Sequence, residues 1–171
     1  MQLVRRDAGV RVLVCTPSDA AADLFVERLA AAGMDLARLY RLDVSSFCEE
    51  DTSDDSETLS QIPGLERLLV FSVVVSTCSK AAILLYLNVP VGHFSHIVID
   101  DAAQAEEPLV MIPIMTFSNA FTNIILAGDP NQLGPNINSP TAARSGLAKS
   151  YFERLMLIRD VYGLDAQVRK T

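Results

Sequence analysis

The feature that most limits how this chain can fold is the run His96-Ile97-Val98-Ile99-Asp100-Asp101-Ala102-Ala103-Gln104. Its unbroken β-branched apolar core suits a parallel strand buried on both faces. A strand core does not hold carboxylates, so Asp100 and Asp101 belong where the strand emerges. In an open α/β sheet that is the carboxyl edge, where ligands bind. Two adjacent acids taken alone fit a plain polar turn equally well. A second run shifts the balance: Ile124-Ile125-Leu126-Ala127 leads into Gly128-Asp129-Pro130-Asn131-Gln132.

Other segments fit the same plan. Val10 to Cys15 reads as a buried strand, Thr16-Pro17-Ser18 as a turn, and Asp19 to Ala32 as a helix with Ser18 as N-cap and Gly33 as its stop. A short strand is expected over Leu36–Leu42, a weak helix over Leu59–Arg67, and a strand over Leu68–Val75. Helices are expected over Cys78–Tyr86 and Ala102–Met111. Thr122–Ala127 is expected to be another buried strand, and Gly146–Ile158 a helix with Leu147, Tyr151, Leu155 and Ile158 on one stripe. Strands alternating with helices argue for an α/β domain with a parallel sheet covered on both faces.

Composition narrows the functional classes. Half of the 171 residues are hydrophobic and 20% are charged, which is a globular balance. The net charge of -7 is concentrated in Glu49, Glu50, Asp51, Asp54, Asp55 and Glu57; without them 14 basic residues face 15 acidic ones. Acidity is thus a property of an exposed loop over residues 45–58 and does not exclude an anionic partner. Cys15, Cys48 and Cys78 form no CxxC, which fits reduced thiols and gives no zinc signature. His93 and His96 have ligand-like spacing but no partner set. No apolar run is long enough to span a membrane, and no signal core opens the chain. The cytoplasm is the expected compartment, with the nucleus as the alternative.

An apolar strand ending in Asp is the Walker B arrangement, whose carboxylate holds Mg²⁺ against nucleotide phosphates. A neighbouring acid can take a proton from an attacking water. A Gln at a second strand end can touch a γ-phosphate. On these blocks the chain resembles the first motor domain of superfamily 1B helicases, in the branch of the nonsense-mediated-decay helicase and the RNA-silencing helicases of the Armitage type. Residues 16–24, starting Thr16-Pro17-Ser18-Asp19, are similar to motif Ia. Val75-Ser76-Thr77-Cys78 is similar to the next nucleic-acid-contacting motif, residues 100–108 to motif II, and residues 128–135 to motif III. Residues 139–155 resemble the segment on the C-terminal side of motif III in the silencing branch.

The resemblance implies a RecA-like P-loop NTPase fold over a single, incomplete domain spanning residues 1–171. It implies ATP and Mg²⁺ as cofactors and single-stranded nucleic acid, with RNA favoured, as partner, alongside RNA-silencing or decay proteins. Asp100 would hold Mg²⁺, and Asp101 would serve the attacking water. Gln104 would couple the nucleotide and nucleic-acid sites. Gln132 would sense the γ-phosphate from a turn shaped by Gly128 and Asp129. Thr16, Pro17, Ser18 and Thr77 would lie under a nucleic-acid backbone, where hydroxyls and amides point donors at phosphates.

Three departures qualify that expectation. The family has Glu where this chain has Asp101, whose carboxylate is set back by roughly 1.5 Å. Motif Ia commonly has Asn where Asp19 puts a negative charge beside the expected phosphate track. No GxxxxGK[ST] occurs in the sequence, and the 171 residues are not expected to include the second motor domain with its arginine finger. A catalytically inactive truncated fragment, or a module that binds nucleic acid or protein without hydrolysis, is therefore the competing reading.

Overall fold

The computed structural model describes residues 2–7, 9–43, 63–129, 131 and 133–158. The expected acidic loop over residues 45–58, Cys48, Pro130 and Gln132 lie outside them.

Five parallel strands form the sheet: β1 (Val12–Thr16), β2 (Leu39–Arg41), β3 (Val73–Thr77), β4 (His96–Ile99) and β5 (Asn123–Leu126), in the order β2-β3-β1-β4-β5. β1 is central, pairing Val12 with Val73 on one side and with His96 on the other. All five residues of β1, and all five of β3, are buried. Strand alternation divides them between two cores. Leu13, Cys15, Val74, Ile97 and Ile99 face one layer, shared with helices α4 (Ala82–Tyr86) and α5 (Glu107–Phe117). Val12, Val14, Val73 and Val75 face the other, against α2 (Asp19–Ala31) and Val4 of α1 (Gln2–Arg6). Double burial explains why these strands read as continuous apolar runs.

The chain leaves β1 toward β2 on one side, through α2, and leaves β4 toward β5 on the other, through α5. Helices departing in opposite directions from adjacent strands open a crevice at their carboxyl ends, the position where open α/β sheets bind ligands.

Several expected boundaries move. Residues 65–68 form a short helix, α3 (Leu65–Leu68), continued by turns through Phe71, so the strand expected from Leu68 starts at Val73. Pairing with β1 sets that start, since Leu68 is wholly buried in the helical turn. The helix expected over Cys78–Tyr86 has turns up to Ala81. A 3₁₀ turn (Leu36–Arg38) replaces the first half of the strand expected over 36–42. The helix expected from Ala102 begins at Glu107. Asp101 has φ of 51° and breaks the helical path, whereas Pro108, with its fixed φ and missing N–H, suits a first turn.

β5 is not buried as expected. Ile124 and Ile125 remain 44% and 41% exposed, because among the described residues β5 pairs only with β4 and no element covers its outer part. The helix expected over 146–158 is broken at Gly146, with φ of 108°. Two short helices, α6 (Pro140–Ala142) and α7 (Tyr151–Met156), flank that break, and Ser150 caps the second by accepting from the Glu153 amide at 3.1 Å. Arg154 ties α7 to the first turn of α5 through a two-pronged pair with Glu107, 2.9 Å from Nε to Oε2. Glu107 is thus held by a guanidinium.

Candidate functional site

The carboxyl ends of β1, β3, β4 and β5 bring the four sequence blocks to one edge of the sheet. The Asp100 amide donates to the Cys15 carbonyl at 2.9 Å, and the Cys78 amide donates to the Thr16 carbonyl at 2.9 Å. The turns after β1, β3 and β4 are therefore fixed to one another through backbone bonds.

Beyond Ile99 the chain turns sharply. Asp101 takes the left-handed conformation, which short polar side chains tolerate better than most. The Gln104 amide donates to the Asp101 carbonyl at 2.9 Å, closing the turn, and Gln104 itself is exposed. Among the described residues neither carboxylate of Asp100 or Asp101 takes part in a hydrogen bond or an ion pair, and both side chains are partly exposed. Such uncommitted oxygens suit Mg²⁺, which uses one or two carboxylates together with water and phosphate oxygens.

The turn after β5 packs directly on this one. The Ala102 amide donates to the Ala127 carbonyl at 2.8 Å, as does the Ala127 amide to the Ile99 carbonyl. A Cβ at Gly128 would meet the Ala103 nitrogen at 2.9 Å and the Ala102 nitrogen at 3.2 Å, so glycine permits this approach. Asp129 accepts from the Asn131 amide at 2.9 Å in an Asx turn that rounds the strand end.

The expected nucleic-acid contacts divide. Ser18 caps α2 by accepting from the Ala21 amide at 3.3 Å and is exposed, beside half-buried Pro17. Thr16 is fully buried, and its hydroxyl donates to the Ser18 carbonyl at 2.8 Å. Thr77 is 4% exposed, and its hydroxyl accepts from the Lys80 amide at 3.2 Å. The hydroxyls of Thr16 and Thr77 are thus engaged within their own turns.

A charge network joins these two turns. Asp19 Oδ1 lies 2.8 Å from both Lys80 Nζ and Arg41 Nη2. Arg41 also reaches Asp23 at 2.9 Å, and Lys80 reaches Asp43 at 2.9 Å. Burial pushes the Asp19 carboxyl up, but Lys80 and Arg41 outweigh it and hold the group below the usual carboxylate range. The charge that Asp19 was expected to present to a phosphate is therefore already matched by cations. Sequence reasoning found Asp19 but missed Arg41 and Lys80, which no local spacing links to it.

Among the described residues, Cys15 and Cys78 are free thiols and both are buried. Burial, with Cys78 alongside, pushes the Cys15 thiol well up, which disfavours a thiolate.

The AAA domain family model matches residues 49–140, more than half of the chain. The chain is 38% identical over 170 residues to the putative helicase mov-10-B.1 of Danio rerio, covering 94% of this chain and 17% of that protein. It is 38% identical over 148 residues to the RNA helicase Mov10l1 of Homo sapiens, covering 85% of this chain and 12% of the relative. It is also 32% identical over 194 residues to the probable RNA helicase armi of Drosophila melanogaster, covering 98% of this chain and 16% of the relative. The chain belongs to the superfamily 1 helicases. It carries part of their RecA-like motor domain and spans less than a fifth of the length of these relatives. No described helix is long and apolar enough to cross a membrane.

Proposed function

We propose that residues 10–157 form the part of an ATP-dependent RNA helicase motor that faces both nucleotide and strand. The observation that carries this reading is the packing of Gly128 against Ala102 and Ala103, which places the two acid-bearing strand ends side by side at the mouth of the crevice. Asp100 holds Mg²⁺, which offsets phosphate charge when a nucleotide is bound. Asp101 accepts a hydrogen bond from the attacking water and orients it. Gln132 senses the γ-phosphate. Gln104 leads out of the Asp101 turn toward the strand and couples the two sites. Pro17 and Ser18 present the edge that meets a single-stranded backbone, while Thr16 and Thr77 keep the β1 and β3 turns in place.

The RNA preference rests on relatives named RNA helicases, and a role beside silencing or decay proteins rests on likeness to armi and to the regulator of nonsense transcripts 1 homolog of Arabidopsis thaliana. The sequence contains no GxxxxGK[ST], whose amides and Lys supply most phosphate contacts in such motors. The 171 residues therefore bind ATP weakly, and hydrolysis belongs to the chain together with a phosphate loop and a second motor domain. The decisive experiment is ATPase turnover of that longer protein with and without single-stranded RNA. Stimulation abolished by Asp100→Asn supports the reading. Full RNA-stimulated turnover in Asp100→Asn refutes it, and absence of turnover in the parent favours a non-catalytic binding module.

A further inference from the structure

The Asp19 carboxylate sits between two cations contributed by separate turns. Lys80 comes from the turn that Thr77 braces, and Arg41 from the end of β2, 61 and 22 residues away in sequence. The Lys80 and Arg41 side chains are only 17% and 14% exposed, while Asp19, covering them, is 52% exposed. Asp19 directly follows Ser18, the exposed cap at the edge proposed to meet the strand. The arrangement of one anionic oxygen held by an ammonium and a guanidinium is the one a phosphodiester oxygen takes on a nucleic-acid-binding surface.

We propose that Asp19 stands in for a backbone phosphate of the bound strand. Lys80 and Arg41 then form a phosphate clamp that is closed by the protein's own carboxylate. A single strand engages the clamp only by displacing Asp19, so the carboxylate weakens strand binding and favours release. This inference deepens the proposed function and rests on its strand-facing edge. Arg41 keeps Asp23, and Lys80 keeps Asp43, when Asp19 lets go, so the clamp stays anchored while it opens.

The test is binding of the full chain to a fluorescent oligouridylate, as a function of salt, for the parent and for Asp19→Asn. Asn keeps the shape and a hydrogen-bond acceptor but removes the charge. Asp19→Ser serves as a second variant, with a melting curve to show that each is folded. Freeing one phosphate contact steepens the fall of log K with log salt by about 0.7, so the tighter binding of Asp19→Asn shrinks by roughly 2.6-fold between about 50 and 200 mM salt. Adding Lys80→Gln to Asp19→Asn removes the gain, which a merely structural role for Asp19 does not predict. Binding by the parent that is unchanged or weakened in both Asp19 variants overturns the clamp and leaves the strand-facing edge intact. No binding by the parent or either variant overturns both.

Discussion

Gly128→Ala tests the geometry on which the functional reading depends. A Cβ there would lie 2.9 Å from the Ala103 nitrogen and 3.2 Å from the Ala102 nitrogen, where ordinary contact begins at 3.4 Å. Both obstacles are backbone, so no side chain can swing away, and the two turns must part by about half an ångström. Such a shift stretches the 2.8 Å bond from the Ala102 amide to the Ala127 carbonyl, which anchors the acid-bearing turn to β5. Overpacking of this kind costs about 1–3 kcal/mol. At roughly 2–4 °C per kcal/mol for a chain of this size, the melting temperature falls by about 2–12 °C. Thermal unfolding followed by circular dichroism reads the shift, and amide exchange at Ala102 reports whether the loss is local. Gly64→Ala is the control: nothing lies within 4 Å of its Cβ. There the reduced freedom of the unfolded chain and the poorer cap on α3 roughly offset, leaving a change within about 0.5 kcal/mol. A Gly128→Ala protein that melts within about 1 °C of the parent, with Ala102 equally protected, would show that the turns are not held this closely.

Two further outcomes concern the site itself. In a longer protein with a phosphate loop and second motor domain, Asp101→Glu raises kcat about 10-fold while leaving nucleotide Kd within about two-fold, because the longer reach acts mainly in the transition state; steady-state ATPase and nucleotide titration read it. Unchanged or lower kcat would mean that the left-handed turn at Asp101 already delivers the shorter carboxylate to the water. For the Asp19 network, burial raises the Asp19 pKa but its cations bring it below the ordinary value, and Lys80 does the same for Asp43. A depressed folded-state pKa stabilises above the unfolded value and is lost as pH falls through the folded one. The stability advantage of the parent over Asp19→Asn, within about 1 kcal/mol for such half-exposed acids, is therefore constant above about pH 5 and is lost as pH falls through the depressed folded-state value of Asp19. An advantage that persists undiminished at low pH would remove the ion pairs as its source.

The sequence by itself determined the layer plan and the order of the chemistry. Val12–Cys15, Val73–Val75 and Ile97–Ile99 are apolar at consecutive positions because both strand faces are covered, and that signature survives without knowledge of any neighbour. Asp100, Asp101 and Gly128 could be assigned to strand ends because a carboxylate or a close backbone approach is excluded from the strand core itself. The family was legible for the same reason, in contiguous blocks whose chemistry is local. What tertiary structure decided involves partners distant in sequence. Leu68 reads as strand by composition, yet pairing between Val12 and Val73 leaves it in a helical turn. Ile124 and Ile125 read as core, yet the edge position of β5 leaves them exposed. The hydroxyls of Thr16 and Thr77 find the Ser18 carbonyl and the Lys80 amide as partners, a pairing set by how each turn folds. Asp19 read as a charge facing a phosphate track, yet Arg41 and Lys80 are folded onto it from β2 and from the turn after β3. Local pattern records which environment a side chain needs, whereas the identity of the group that supplies it is fixed only when distant segments are brought together by the sheet.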